Sequence, residues 1–229
     1  MEKTSIREKE EIGKKEDDKM EKKLIIRKVV EKEKEEQEDN LLIELIKISS
    51  PRIKEELFKK ELIKLLKEKA SSFSYPDYIK ASWIRIPPHK KYLKAWREKW
   101  YPVILAYASS KLLLKIDISK ILTEWPFSDG STTIPENELK EILKEMEKRG
   151  LAIRFSDYEA LVLWIKPKEL AEIFLKVALK VGVSVIRTSV LLDVFKDLGW
   201  SGLIYLLKII EKIGYGSIIM NGLGFKIGR

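Results

Sequence analysis

The sequence of 229 residues contains no cysteine and a single histidine, His89. The first absence excludes disulfides, thiol nucleophiles and Cys-ligated zinc; the second excludes zinc sites built from several imidazoles. His89 stands in a Pro-rich, basic stretch with no carboxylate or nucleophile placed beside it, so it reads as a surface histidine. Neither a phosphate-loop motif nor a nucleophile-elbow serine occurs. Gly222, Gly224 and Gly228 have the wrong spacing for a dinucleotide motif, and no helix follows to hold a pyrophosphate. A strand hairpin explains them. Long apolar runs are missing too: Leu203 to Leu207 falls far short of the ~20 residues of a membrane span. The N-terminus lacks the apolar stretch of a signal peptide. These absences point to a cytoplasmic protein that is not an enzyme, with no cofactor and no metal.

Charge is what the sequence has in quantity. Charged residues make up 35% of the chain, above the ~25% usual for soluble domains. Lys, Glu and Ile dominate, as in thermophile chains rich in ion pairs. The net charge is +9, yet residues 1–70 hold 20 basic and 19 acidic side chains, so nearly all the excess falls on residues 71–229. A basic surface of that size suits anionic lipid or nucleic acid, or no partner at all.

Residues 1–40 are almost wholly charged and read as a solvated tail, disordered or a lone helix. Residues 41–70 form an amphipathic helical segment in which Ile53, Leu57, Leu62, Leu65 and Leu66 recur at helical spacing and Pro51 separates two stretches. It either caps its own protein or binds a partner. Residues 71–92 form a Pro/aromatic arm. Ser71, Pro76, Pro87 and Pro88 oppose helix, while Phe73, Tyr75, Tyr78, Trp83 and Ile86 suggest an extended stretch lying against something.

From there the chain spells the winged-helix plan twice, over residues 93–166 and 167–229. A first helix carries Leu93, Trp96, Trp100, Val103, Ile104 and Tyr107 on one face, with a kink or restart at Pro102. A short helix is expected from Ile118 to Trp125, then a loop at Asp129-Gly130-Ser131. Pro135 opens a third helix bearing Leu139, Ile142, Leu143 and Met146, which Gly150 ends. A hairpin follows, from Leu151 to Phe155 and Ala160 to Ile165. The second copy has a helix through Leu170, Ile173, Phe174, Val177, Ala178 and Val181 to Gly182. A second helix is expected from Thr188 to Asp197 with Thr188 as N-cap, and a third from Ser201 to Ile213. A closing hairpin turns at Asn221-Gly222. The octapeptides 143–150 and 207–214 match at five positions, each at the end of a third helix. The expected fold is therefore α+β, mainly helical: two tandem winged-helix domains behind a charged helical N-terminal extension.

A winged helix often places its third helix in the major groove of DNA, so a DNA-binding regulator is the alternative function. Pro135 to Arg149 has five acidic and four basic residues, a poor match for phosphates. Ser201 to Gly214 is apolar nearly all round and lacks Arg and Asn. A helix of that kind is expected to be buried on more than one side, against a second protein surface.

From about Tyr75 to Arg229 the sequence resembles the vacuolar protein-sorting-associated protein 25 family, the small winged-helix subunit of the ESCRT-II complex; its composition would suit a thermophile or archaeal member. The resemblance rests on an ordered set of motifs: Tyr75-Pro76-Asp77-Tyr78, then Ile86-Pro87-Pro88-His89 leading to Trp96, then Leu161-Val162-Leu163-Trp164-Ile165-Lys166-Pro167-Lys168-Glu169, and finally Gly182, Thr188 and Gly224-Phe225-Lys226. Asp77 stands where the family's second Pro would be, Arg187 replaces an aromatic, and residues 1–70 have no counterpart. The resemblance implies a scaffold linking the larger ESCRT-II winged-helix subunits to an ESCRT-III subunit in protein sorting and membrane remodelling. Tyr75, Pro76, Tyr78 and Trp96 are then the expected contacts to the ESCRT-II core, with plain core packing the open alternative for Trp96, and Arg187, Thr188 and Lys226 the expected contacts to the ESCRT-III subunit. Peripheral recruitment to anionic membrane is expected to be weak or indirect, and nucleic acid is not an expected partner.

Overall fold

Proline has no amide hydrogen to donate and its φ suits a first helical turn, so Pro51 opens a helix instead of interrupting one. This helix, α1, runs Pro51–Ala70. The computed structural model describes residues 50–117 and 134–228. The tail 1–40, the start of the helical segment at 41–49, the short helix from Ile118 to Trp125 and the loop Asp129-Gly130-Ser131 lie outside the described residues.

Along α1 the buried side chains are Glu55, Phe58, Leu62, Leu66 and Ala70, one continuous stripe at helical spacing. The stripe is rotated from the expected one. Ile53 is exposed, Leu57 and Leu65 are half-buried, and Phe58 takes the central place. Tertiary packing decides the rotation: the Phe58 ring lies 6.3 Å from that of Phe174. The helix thus covers its own protein.

The first unit begins with α2 (Leu93–Ser110), which continues without interruption through Pro102. It is followed by β1 (Lys115–Asp117), α3 (Glu136–Lys148), β2 (Ala152–Arg154) and β3 (Glu159–Val162). The second unit repeats the order: α4 (Pro167–Val181), β4 (Val185–Arg187), α5 (Thr188–Val194), α6 (Gly199–Lys212), β5 (Gly216–Ile219) and β6 (Gly224–Ile227). Each unit builds a three-stranded antiparallel sheet with the last strand in the middle, β1-β3-β2 and β4-β6-β5. The matched octapeptides do end corresponding helices, α3 and α6. Strands β1 and β4 are three residues long, too short to show alternation beyond one buried Ile each, Ile116 and Ile186.

Glycine matters at two points. Gly182 takes the left-handed conformation (φ 68°) that ends α4. Gly216 has no room for a side chain, since a Cβ there would meet the Lys226 carbonyl and the Phe225 ring at 2.5 Å. Thr188 departs from expectation. It is fully buried, and its hydroxyl donates to the Gly222 carbonyl at 2.5 Å, tying the start of α5 to the hairpin turn. The N-cap of α5 is Arg187, without a side-chain cap, and α5 stops at Val194, with a 3-10 turn at Lys196–Leu198 taking over.

That turn links the units. One oxygen of Asp197, Oδ2, accepts the backbone amides of Leu114 (2.7 Å) and Lys115 (2.5 Å). Burial raises the Asp197 pKa above the usual carboxyl value, with the donated amides pulling the other way.

Two measurements test this packing. Phe58→Ala should lower unfolding free energy by about 3–5 kcal/mol in denaturant titration. For Asp197, Ala should cost about 1–3 kcal/mol by stranding the amides, whereas Asn, whose carbonyl can take both bonds, should cost much less. Because the folded pKa is raised, stability from this carboxyl is present below the usual carboxyl pKa and declines as pH rises through the folded value. The Asn variant should therefore gain on wild type over that window, then hold a constant offset.

Candidate protein-docking site

Residues 71–92 do not remain extended. They fold into three short 3-10 turns, Asp77–Lys80, Ser82–Arg85 and Lys90–Tyr92. Two side-chain hydrogen bonds fasten them to α2. The Trp96 indole Nε1 donates to the Ile84 carbonyl (2.9 Å), and the Tyr78 hydroxyl donates to the Lys99 carbonyl (2.8 Å). Ile84 is fully buried. The Tyr78 ring stands 6.1 Å from the Trp83 ring, and the Lys99 ammonium lies over both, 5.1 Å from Tyr78 and 5.8 Å from Trp83. Burial raises the Tyr78 pKa.

Between arm and helix lies an open groove of about 440 Å³, lined by Trp83, Ile86, Pro87, Tyr92, Trp96 and Lys99 among others. Its rim leaves Trp83 48%, Ile86 65% and Tyr92 59% exposed. Of the residues expected to meet a companion subunit, Tyr75, Pro76 and Tyr78 are half-buried in the arm. Trp96 is 4% exposed and serves as the arm's anchor on α2. Sequence reading noted the arm's aromatics but did not single out Trp83, Ile86 and Tyr92 as a site. The available signal was their interleaving with lysines.

The second expected group divides. Arg187 and Lys226 share the outer face of the second sheet, because β4 and β6 pair Val185 with Lys226 and Arg187 with Gly224. Thr188 turns inward and is inaccessible. Arg187 is already engaged: its guanidinium grips Glu55 of α1, with Nε at 2.8 and 2.9 Å from the two carboxylate oxygens and Nη2 on Oε2. That pairing raises the Arg187 pKa. Nothing in the sequence signals the Glu55 partnership, which depends on how α1 lies.

The third helices are occupied at home. On α3, Lys140 pairs with Glu136 (2.7 Å) and Lys144 with Glu141 (2.6 Å). On α6 the buried side is Leu203, Leu206, Leu207 and Ile210. The second apolar side is covered only in part within this chain, since Trp200, Tyr205 and Ile213 stay 44%, 42% and 42% exposed. Tyr205 meets Phe155 of the first hairpin edge-on at 5.5 Å, and Ile204 and Trp200 lie beside Gly222. A small cleft of about 250 Å³ remains between α6 and that hairpin.

Among the described residues, no cluster of His, Asp or Glu could hold a metal ion, and no helix is long and apolar enough to cross a membrane. No protein-family model matches the sequence, and no curated protein matches it. A solved structure does: the crystal structure of subunit VPS25 of the endosomal trafficking complex ESCRT-II, with a TM-score of 0.54 at 18% identity. The match covers 99% of that chain and 68% of this one, so this chain has the tandem winged-helix fold of that subunit together with a sizeable part beyond it.

The anchoring role of Trp96 is testable. Trp96→Phe keeps an aromatic ring but removes the Nε1 donor and the second ring of a buried indole, and should cost about 1–3 kcal/mol. Limited proteolysis should then cut the arm between Lys80 and Arg85 sooner than in wild type.

Proposed function

We propose that this chain is a non-catalytic scaffold subunit of an ESCRT-II-like assembly in protein sorting and membrane remodelling. The arm and first unit hold the larger winged-helix subunits of that assembly. The outer sheet face of the second unit, at Arg187 and Lys226, meets an ESCRT-III subunit. The protein works in the cytoplasm and reaches the membrane peripherally.

The observation that carries this reading is the docked arm. Two hydrogen bonds from the side chains of Trp96 and Tyr78 fix a Pro/aromatic segment on α2 while leaving Tyr75 and Pro76 half-exposed. A segment held in one conformation loses little further entropy when a partner binds it. The fold match to a subunit of a trafficking complex supports the same role. The pairing of cations with carboxylates on α3 disfavours a DNA-binding role, since it leaves that helix little free charge for phosphates.

Co-expression with candidate winged-helix companions should give a complex stable to size-exclusion chromatography. Replacing Tyr75 and Pro76 together by Ala should weaken it at least about tenfold, or about 1.4 kcal/mol, with circular dichroism unchanged. Charge reversal at Lys226 should weaken capture of an ESCRT-III subunit without affecting that complex. An intact complex after the arm substitutions removes the arm from the interface, and a tight, salt-dependent duplex complex in gel shifts would favour the DNA-binding alternative.

A further inference from the structure

We propose that this chain touches anionic lipid bilayers directly, through Trp83, Ile86 and Tyr92 and the lysines around them. This goes beyond recruitment through companion subunits and does not depend on them.

Three large apolar side chains stand out from the arm, each about half or more exposed, beside a bed formed by Pro87, Pro88 and Ala95. Isolated exposed apolar residues need no explanation, but a contiguous group rimmed by charge does. The charge here is one-sided. From Lys80 to Lys99 the sequence carries seven Lys or Arg residues and one carboxylate, Glu98. Glu98 is engaged by Arg149. Arg97 is withdrawn from the surface by Glu138 (2.8 Å) and Glu145 (3.0 Å). Of the others, Lys90, Lys91, Lys94 and Lys99 flank the apolar group, and none of these four meets a carboxylate among the described residues.

The kind of partner follows from the chemistry. Tyr and Trp combine an apolar body with a polar edge and settle at the depth of lipid headgroups. Lysine stems can lie along an apolar surface while their ammonium groups reach a layer of phosphates or carboxylates. A set of lysines suits a diffuse anionic plane better than the fixed carboxylates of a folded protein. Single-stranded nucleic acid asks for open aromatic faces. Here the Trp83 ring is already flanked by Tyr78 and Lys99, and Ile86, Pro87 and Pro88 offer no plane to stack on. The patch is rigid because the same two hydrogen bonds that dock the arm also position it.

The test uses the full chain alone, in sedimentation with phosphatidylcholine vesicles that do or do not contain about 30% phosphatidylserine, a strongly anionic surface. Binding should require phosphatidylserine and fall at least about tenfold between low salt and 0.5 M salt, roughly, as screening predicts. Reversing Lys90, Lys91 and Lys94 to Glu should abolish it. Trp83→Ser with Ile86→Ser should weaken it at least about tenfold at unchanged charge, given the transfer free energy of such side chains. Circular dichroism confirms that the variants fold. Failure to bind anionic vesicles, binding that ignores these substitutions, or capture of an oligonucleotide or acidic polypeptide in preference to vesicles overturns the proposal. The companion complex is read out separately by chromatography, so either reading can fail without the other.

Discussion

Three phenylalanine rings from three elements stand in a line through the second unit: Phe58 of α1, Phe174 of α4 and Phe195 just after α5, with successive centroids 6.3 and 6.2 Å apart. All three are essentially inaccessible to water. The line exists only if α1 is seated, and α1 also touches α2 of the first unit. The helix therefore closes one core and leans on the other. Four ion pairs surround its apolar stripe, joining Glu55 to Arg187, Lys59 to Asp193, Glu61 to Lys180 and Lys69 to Glu169. Pairs this close to solvent add little stability. The burial of Phe58, Leu62 and Leu66 holds the helix down, and the charges set which way round it lies. Since the arm follows α1, the arm's starting point is fixed as well; Phe73, three residues beyond the helix, packs edge-on against Trp164.

Much of this architecture could be read in the residues. Helices with a wide apolar stripe and a clear stop, such as α3 with Leu139, Ile142, Leu143 and Met146, are legible because one period of 3.6 runs their whole length. The duplicated order of elements was legible for the same reason. Three features were not. Strands of three residues fall below any periodic signal. Thr188 looked like a cap because capping depends on residue type, but a buried hydroxyl takes whatever acceptor is in reach, and the Gly222 carbonyl belongs to a turn 34 residues away. The facing stripe of α1 depended on Phe174, whose own direction comes from tertiary packing. At the candidate sites, the arm's departure from an ordinary linker was visible in its composition. The inward turn of Thr188 and the capture of Arg187 by Glu55 were not, because each depends on a partner distant in sequence, whereas Trp96 already lay on the apolar face of its helix.

The structure covers part of the apolar surplus of α6. An all-round apolar helix suggested an external protein; Tyr205 meets Phe155 and Trp200 and Ile204 lie beside the hairpin turn, while Trp200, Tyr205 and Ile213 stay exposed. Other exposed surfaces are the arm with its aromatic and aliphatic rim, and the outer face of the second sheet at Val185, Arg187 and Lys226. The strongest concentration of cations falls on the arm and the opening of α2 and not on either third helix itself. In a winged-helix protein built around nucleic acid, the third helix is where that concentration would be expected.

The carboxylate of Asp197 has an effect beyond joining the two units. The amide of Lys115 that it takes lies on the open side of β1, away from β3. An unpaired edge amide invites a foreign strand to add itself to the sheet. Here the invitation is withdrawn by a side chain that belongs to the other half of the molecule. Any strand that approached this edge would thus be turned from backbone zippering toward contacts made by side chains, which are more easily broken and remade.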